Sequence, residues 1–223
     1  MSAPVADAAA ARRAFIQANT ALASPPLVPE LRLYLAGEIT PLWLATEDFL
    51  AEHNIAPPYW AFPWVGGQAL TRHVLDHPDL VRGKRVLDFA AGSGMTAIAA
   101  ALAGAARAEA AEIDALACAA IALNAEVNNV HVALAEGNVL ERSDGPWDVV
   151  LAGDVCYEKP MAEAVFAWLR RLAAAGAVVL MADPGRSYLP ATGLMKVGGS
   201  SVPCSLELED RTSRDAVVYK IVG

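Results

Sequence analysis

The sequence predicts an α/β protein built on a seven-stranded, mostly parallel sheet, with helices on both faces and an antiparallel hairpin at its C-terminal end. Three observations carry this prediction. Short apolar runs alternate with helical runs from residue 85 to 182, a glycine turn follows the first run, and polarity alternates with period two in the tail. Strands and helices that alternate at this length form a parallel sheet with right-handed crossovers.

The elements of this region follow a regular order. The predicted strands are 85–90, 107–112, 131–136, 148–153 and 177–182, and the predicted helices between them are 95–103, 115–127 and 160–174. In the tail, residues 206–209 and 216–221 have the pattern of strands and flank a charged turn at 210–215. Two such runs around a polar turn predict a terminal hairpin at the edge of the sheet.

Residues 1–56 are predicted to form an extension in front of a main domain at 57–223. Within the extension, residues 5–22 have a helical pattern. Residues 31–35 alternate like a half-buried strand, which we expect to turn back into a hairpin with the residues that follow it. A short helix is predicted at 41–52.

The main domain begins with an aromatic, proline-rich stretch at 57–64, which is typical of an irregular loop. Aromatic residues in such a loop are most often packed into a core, and we expect this of Tyr59, Trp60 and Phe62. A helix predicted at 66–76 connects the loop to the first strand of the sheet.

Composition narrows the classes of partner. Of the 223 residues, 55% are hydrophobic, and the formal net charge is -8. This negative charge disfavours nucleic acid as a partner and suits a partner that offers lysines. The longest apolar runs are interrupted by charged residues or glycine, so no membrane span is predicted. The three cysteines are too scattered for a disulfide framework or a zinc site, so we expect a cytoplasmic protein without a metal. Without heptads or a long apolar stripe, a monomer is expected.

The turn after the first strand indicates a nucleotide site. Gly92 and Gly94 lack a Cβ, so a ligand can lie against bare peptide while the helix behind presents unpaired N–H groups. Glu112 ends the second strand, where an acid can accept hydrogen bonds from ribose hydroxyls. The pattern is that of a Rossmann-like βαβ unit, and the alternative is an ordinary strand-to-helix turn without a ligand.

The identity of the nucleotide is suggested by Asp88, which lies at the end of the strand before the turn. A dinucleotide fingerprint has a third glycine, and this turn lacks it. A carboxylate beside the loop would repel a pyrophosphate but suits a cationic methionine group. S-adenosylmethionine is therefore favoured over NAD. In the alternative interpretation, Asp88 accepts hydrogen bonds from turn amides.

Three further motifs, in the order found, resemble a known family. They are the runs at 62–70 before the first strand, 153–157 after the fourth and 182–186 after the fifth. Together with the glycine turn they look like a class I, seven-strand S-adenosylmethionine-dependent methyltransferase. The closest likeness is to the bacterial lysine methyltransferases of the electron transfer flavoprotein β subunit, and it covers roughly residues 30–220.

The resemblance implies roles on the cofactor side of the site. Asp88 would bind the methionine amino group, Glu112 would bind the ribose, and Asp114 would cap the following helix. The family often has an acid after the third strand, whereas this chain has Asn138, whose amide can still accept from the adenine amine. Trp64 would stack on or close over the adenosine.

On the substrate side, the resemblance implies that Asp154 faces the transferred methyl group and holds the incoming lysine amine. Tyr157 would line the lysine channel. Alternatively, Asp154 caps the helix predicted at 160–174. A turn held by Asp183 and Arg186 is the conservative interpretation of the last motif, and a substrate-side role is the other.

The function that the resemblance implies is methylation of a protein lysine on the electron transfer flavoprotein β subunit, with a ribosomal protein as a second candidate substrate. Two alternatives stay open from the sequence. One is a methyltransferase acting on the nitrogen of a small molecule, which would need an enclosed pocket. The other is a module that binds the nucleoside without turnover.

Overall fold

Among the residues described by the computed structural model, 3–37, 57–142 and 145–222, seven strands form one mixed sheet and two short strands form another. The strands are β1 Ala21–Ala23, β2 Leu33–Leu35, β3 Arg85–Phe89, β4 Arg107–Ala111, β5 Ala133–Leu134, β6 Val149–Gly153, β7 Val178–Asp183, β8 Leu194–Pro203 and β9 Ser213–Ile221. The α-helices are α1 Ala3–Asn19, α2 Val65–Asp76, α3 Met95–Leu102, α4 Ala115–Val127, α5 Lys159–Ala174 and α6 Leu206–Glu209.

The order of the main sheet is β5-β4-β3-β6-β7-β9-β8. The first five strands in this order pair in parallel, and β9 pairs antiparallel with both β7 and β8. The chain therefore adds strands outward from β3 on one side and resumes with β6 on the other. Open α/β sheets bind ligands at such a switch point, beyond the carboxyl ends of the strands.

Alternate residues of each central strand pack against helices on opposite faces of the sheet. In β3, Val86 belongs to the core under α2 and α3, while Leu87 belongs to the core under α5. Both side chains are essentially inaccessible to solvent. Strands buried on both faces have continuous apolar sequences, which is why the runs after residue 84 could be assigned from the sequence.

The extension is more closely attached than its sequence suggests. Helix α1 ends at Asn19, earlier than the predicted residue 22, because residues 21–23 form β1 and pair with β2. The strand predicted at 31–35 thus has an upstream partner; the hairpin residues expected after Gly37 and the helix expected at 41–52 lie outside the described residues. Leu31 and Leu33 are fully buried in the main core.

The prediction of a strand at 206–209 is wrong. Residues 206–209 form a single helical turn, and the partner of the last strand is β8, at 194–203. The alternation of apolar and charged residues at 206–209 does not mark a strand with one buried face, because Glu209 is buried in ion pairs with arginines. The run Gly198-Gly199-Ser200-Ser201 within β8 resembles loop sequence and concealed the strand.

Most other boundaries agree with the predictions to within one or two residues, and the terminal hairpin itself is confirmed. The main exception is the strand expected at 131–136, which is reduced to Ala133–Leu134 at the edge of the sheet. Within the described residues, each helix is too short or too polar to cross a membrane.

Candidate active site

A cleft of about 900 Å³ lies beyond the carboxyl ends of β3, β4 and β6. It brings together all but one of the residues that the sequence singled out for the site, namely Trp64, Asp88, Gly92, Glu112, Asn138, Asp154 and Tyr157. The exception is Gly94, which precedes the first turn of α3 and is buried. The parallel strands place these residues at one edge of the sheet although more than ninety positions separate the first from the last.

The glycine turn is a backbone requirement as well as a lining of the cleft. Gly92 and Gly94 have φ values of 52° and 76°, in the left-handed region that favours glycine. A Cβ on Gly94 would lie 3.0 Å from the side chain of Ile121 on α4. Gly94 therefore permits close packing of two helices, while Gly92 exposes its peptide to the cleft.

Glu112 holds the turn in place. Its carboxylate accepts from the backbone N–H of Gly92 at 3.0 Å and from that of Ile113 at 2.7 Å. It thereby joins the strand end of β4 to the glycine turn after β3. Asp114 accepts from the N–H of Leu116 at 2.8 Å and caps α4, as predicted from its position.

Asp88 is 3% exposed, and its carboxylate accepts from the N–H of Ala97 on α3 at 2.9 Å. Burial raises its pKa to about 8, and the nearby carboxylate of Glu112 acts in the same direction. The bond from Ala97 resembles the alternative interpretation, in which Asp88 accepts from backbone amides, although the donor belongs to the first turn of α3 and not to the glycine turn. Because Asp88 also lines the cleft, that interpretation leaves room for a ligand contact.

Asp154 lies at the junction of three elements, with a backbone φ of 54° that is unusual for a residue other than glycine. Its Oδ2 accepts from the N–H of Gly67 in the first turn of α2, at 2.9 Å. Its Oδ1 accepts from Nε and Nη2 of Arg186, at 3.2 and 3.0 Å. Helix α5 is preceded by Glu158, so Asp154 does not cap it.

The electrostatic balance at Asp154 is unusual for a carboxylate. Burial raises its pKa to about 6, while the charge of Arg186 and the hydrogen bond from Gly67 act in the opposite direction. The carboxylate is therefore predominantly ionised at neutral pH. Because its pKa lies close to that pH, a change in a neighbouring charge can alter its protonation.

The aromatic residues divide between the core and the rim of the cleft. Trp60 and Phe62 are buried, as expected, whereas Tyr59 is 52% exposed, so its prediction as a core residue was wrong. The ring centroid of Tyr59 lies 5.9 Å from that of Tyr157, which is 43% exposed. Trp64 donates its indole N–H to the Tyr59 carbonyl at 2.8 Å, so this donor is already used within the chain.

Asn138 is exposed at the cleft and opens a short 3-10 turn. Its Oδ1 accepts from the N–H of Leu140 at 3.1 Å, and its Nδ2 donates to Glu141 at 3.2 Å. The side chain thus has a capping role that the sequence interpretation had not included.

Arg186 adds a cation to the cleft, and Glu209 contacts that cation from outside the cleft. The turn after β7 is held by Asp183, whose Oδ1 accepts from the backbone N–H groups of Gly185 and Arg186. Asp183 binds only the backbone of Arg186. The guanidinium of Arg186 forms ion pairs with Asp154 and Glu209 and lines the cleft. Sequence reasoning missed Glu209, because its alternating neighbours predicted a strand.

The chain resembles several methyltransferases in sequence. It is 40% identical over 186 residues to the electron transfer flavoprotein beta subunit lysine methyltransferase of Xenopus laevis, covering 82% of this chain and 74% of that protein. The human protein of the same name is 40% identical over 177 residues, covering 78% of this chain and 66% of its own length. The chain thus spans about two thirds to three quarters of these relatives.

The chain is also similar to proteins named ribosomal protein L11 methyltransferase. The family model of ribosomal protein L11 methyltransferase (PrmA) matches residues 69–158. The ribosomal protein L11 methyltransferase of Pelotomaculum thermopropionicum is 39% identical over 127 residues, which is 56% of this chain and 37% of that protein.

Among solved structures, the fold is similar to that of magnesium protoporphyrin IX methyltransferase from Synechocystis PCC 6803 with bound SAM. The TM-score is 0.51 at 16% identity, and the match covers 68% of this chain and 76% of that one. At this identity the likeness concerns the fold alone.

Proposed function

This chain belongs to the electron transfer flavoprotein beta subunit lysine methyltransferase family, and from this premise we propose that it transfers methyl groups from S-adenosylmethionine to lysine side chains of that subunit. The enzyme class follows from the family, and the substrate is taken from the names of the relatives. A small-molecule methyltransferase and a nucleoside-binding module without activity are less consistent with this membership. The three free cysteines suit the cytoplasm, where we place the reaction.

The residues of the cleft fit S-adenosylmethionine. The fit depends on one arrangement, in which two acids, Asp88 and Glu112, line the cleft together with the glycine turn. A cationic ligand suits two acids, and a ribose suits the acid at the end of β4. Trp60 also lines the cleft, and its buried indole N–H has no partner among the described residues. We assign Asp88 to the methionine amino group and Glu112 to the ribose.

The other wall would hold the nucleoside base. Asn138 is exposed at this side of the cleft, and Ile113 is 89% exposed beside Glu112. An apolar side chain in this position can cover an adenine, while the Asn138 amide can read its edge. Trp64 would close the cleft by its ring face, because its N–H is bound to Tyr59.

The cofactor supplies a methyl group that its sulfonium already activates, so the protein has to align the amine and keep it neutral. Alignment contributes the larger part of the rate. We assign this role to Asp154, whose carboxylate is fixed by Gly67 and Arg186 at the edge of the cleft. Tyr59 and Tyr157 would line the channel for the lysine stem, since both rings are half exposed at the rim.

A lysine amine has a pKa near 10.4 in water, so only about one in 2,500 is neutral at pH 7. An aromatic channel would lower this pKa by removing water from the ammonium form. An isolated carboxylate would raise it again. Asp154, already paired with a guanidinium, is better suited to orient the amine than to act as a strong base.

The test is a transfer assay with purified electron transfer flavoprotein, using S-adenosylmethionine labelled in its methyl group. We expect label on lysines of the β subunit, located by mass spectrometry of its peptides. The matched control is Asp154→Asn, which keeps the size of the side chain. Absence of label on the flavoprotein in the presence of a folded, cofactor-binding chain would contradict the proposed substrate.

A second candidate substrate is ribosomal protein L11, because the matching family model and the Pelotomaculum relative carry that name. The same assay separates the two candidates when each is supplied alone at equal concentration. We expect the flavoprotein to be preferred, since the relatives of that name match more of this chain. A higher kcat/KM for L11 would reverse the assignment.

A further inference from the structure

Four charged side chains form a chain of ion pairs that runs from the cleft into the C-terminal hairpin. Arg186 contacts Asp154 at 3.0 Å and Glu209 at 2.7 Å, and Glu209 contacts Arg214 at 2.6 Å. The side chains of the two inner members, Arg186 and Glu209, are 18% and 2% exposed. We refer to Asp154, Arg186, Glu209 and Arg214 as the four-residue network.

Arg186 is held on three sides. Its Nε and Nη2 donate to one oxygen of Asp154, while Nη1 and Nη2 donate to both oxygens of Glu209. Its Cζ also lies 6.0 Å from the centre of the Trp64 ring, within the range of a cation–π interaction. A planar guanidinium can make all these contacts at once, whereas an ammonium cannot.

The four-residue network determines the net charge beside which an incoming lysine amine would lie. An unpaired carboxylate at Asp154 would attract the ammonium form of lysine and oppose its deprotonation. Paired with Arg186, the same carboxylate keeps an oriented acceptor but offers little net charge. Glu209 fixes the arginine from behind without touching the cleft, since it is absent from the residues that line it.

Resting on the proposed function, we infer that Arg186 is a positioning residue for methyl transfer: it holds Asp154 ionised and oriented in the cleft, and Glu209 fixes Arg186 for that purpose. Asp154 touches the amine, and Arg186 acts through Asp154. Arg214 contacts Oε2 of the buried Glu209 and adds a second cation beside that carboxylate.

Several other groups face Asp154 and have to be considered in any pH dependence. Asp183, at the end of β7, raises the pKa of Asp154 through its charge. Cys156 lies on the same loop, and its thiol is protonated near neutral pH because burial raises its pKa to about 12. Helix α2 contributes a backbone N–H at Gly67. Arg186 is thus the cation that opposes burial at Asp154 among the described residues.

The experiment compares wild type with Arg186→Gln, Arg186→Lys and Glu209→Gln. The Asp154 carboxyl is titrated by carbon-13 NMR in the purified protein, and the pH profile of kcat/KM is measured with the flavoprotein. We expect Arg186→Gln to move both the titration and the acidic limb upward by about one pH unit or more. Arg186→Lys should restore part of the shift, because it keeps the charge but not the planar fork.

Glu209→Gln separates the charge of Arg186 from its orientation. Removing the second carboxylate leaves the charge of Arg186 to Asp154 alone, so the titration should move downward, whereas loss of the contacts that fix the arginine should lower the plateau of kcat/KM. A purely structural role would lower the melting temperature of these variants without moving either profile. If Arg186→Gln does not fold, Arg186→Lys and Glu209→Gln still decide the question.

Unchanged titrations of Asp154 in the folded variants would overturn the inference. The NMR titration requires no substrate, so it separates the inference from the proposed function. Wild type that methylates neither protein would contradict the function, while the titration would still report whether Arg186 controls Asp154.

Discussion

Gly67 donates its backbone N–H to Asp154 Oδ2 across 2.9 Å, although 87 positions separate the two residues in the chain. The bond joins the first turn of α2 to the loop after β6. The N-terminus of a helix favours a carboxylate, both through its free N–H groups and through the helix dipole. The motif before the first strand and the motif after the fourth are therefore two halves of one structural feature.

Gly66→Ala should disrupt this feature. A Cβ at this position would lie 2.6 Å from both Asp154 Oδ2 and the carbonyl oxygen of Ala182, and the carbonyl cannot move aside. We expect destabilisation of about 1–3 kcal/mol, measured by denaturant unfolding, together with reduced methyl transfer. Gly67→Ala is the matched control, because its Cβ would meet only the flexible end of Met95 at 3.2 Å. Equal stability of the two variants would contradict this account.

Asp154→Asn should separate catalysis from cofactor binding. The amide oxygen can still accept from Gly67, but the charge that pairs with Arg186 is lost. We expect kcat to fall by about a hundredfold or more, in the range seen when a preorganised polar group is removed. The dissociation constant for S-adenosylmethionine, measured by calorimetry, should stay within a few fold of wild type. A large loss of affinity would mean that Asp154 mainly serves the cofactor.

Glu112→Gln should weaken cofactor binding. Glu112 accepts from several backbone N–H groups, and the NH₂ group of glutamine cannot do so. We expect about tenfold weaker binding of S-adenosylmethionine, equivalent to about 1.4 kcal/mol. Asp114→Asn is the control, since asparagine caps a helix as well as aspartate does. Similar losses in both variants would point to general electrostatics and away from a specific ribose contact.

Asp88 should make both stability and cofactor binding depend on pH. Its pKa in the folded chain is about 8, well above its ordinary value of 3.8, so folding favours the protonated form. Its contribution to stability is full below that ordinary value and is lost as the pH rises towards 8. Asp88→Asn lacks this loss, so its free energy of unfolding relative to wild type should increase across the same window.

Cofactor binding should show the reverse trend at Asp88, because the ionised carboxylate is the form that attracts the methionine ammonium. Wild-type affinity for S-adenosylmethionine is expected to improve from pH 6 to about 8, measured by calorimetry. The Asp88→Asn variant should bind more weakly, with a flatter pH profile. Parallel profiles for the two proteins would show that another group controls the binding.

Local sequence was sufficient for the parallel part of the sheet. Strand β6 is apolar throughout because both of its faces are buried, and in β3 only Arg85 and Asp88 interrupt the apolar run. The helices of this region, such as α4, are rich in alanine and long enough to be recognised. The glycine turn and the acid at the end of β4 were also identified from local sequence. The first depends on backbone conformation, and the second depends on its position at the end of a strand. These features are encoded within a few neighbouring residues.

The C-terminal hairpin could not be placed in this way. Strand β8 contains a run of glycine and serine, and its strand conformation depends on pairing with β9 over nine residue pairs. The four residues 206–209 have a strand-like alternation but form a helical turn, because Glu209 turns inward to two arginines. Edge strands and buried ion pairs take their structure from partners distant in the sequence.

By itself, the sequence determined the α/β class, the presence of an antiparallel hairpin after the parallel strands, and part of the lining of the cleft, whereas Tyr59 was expected in the core and Gly94 in the cleft. Only the tertiary structure decided what those residues bind within the chain: Trp64 to a backbone carbonyl, Glu112 to the glycine turn, and Asp154 to Arg186. The reason is physical. Periodicity records which side of an element is buried, whereas hydrogen bonds and ion pairs depend on distances between elements that the chain brings together only when it folds.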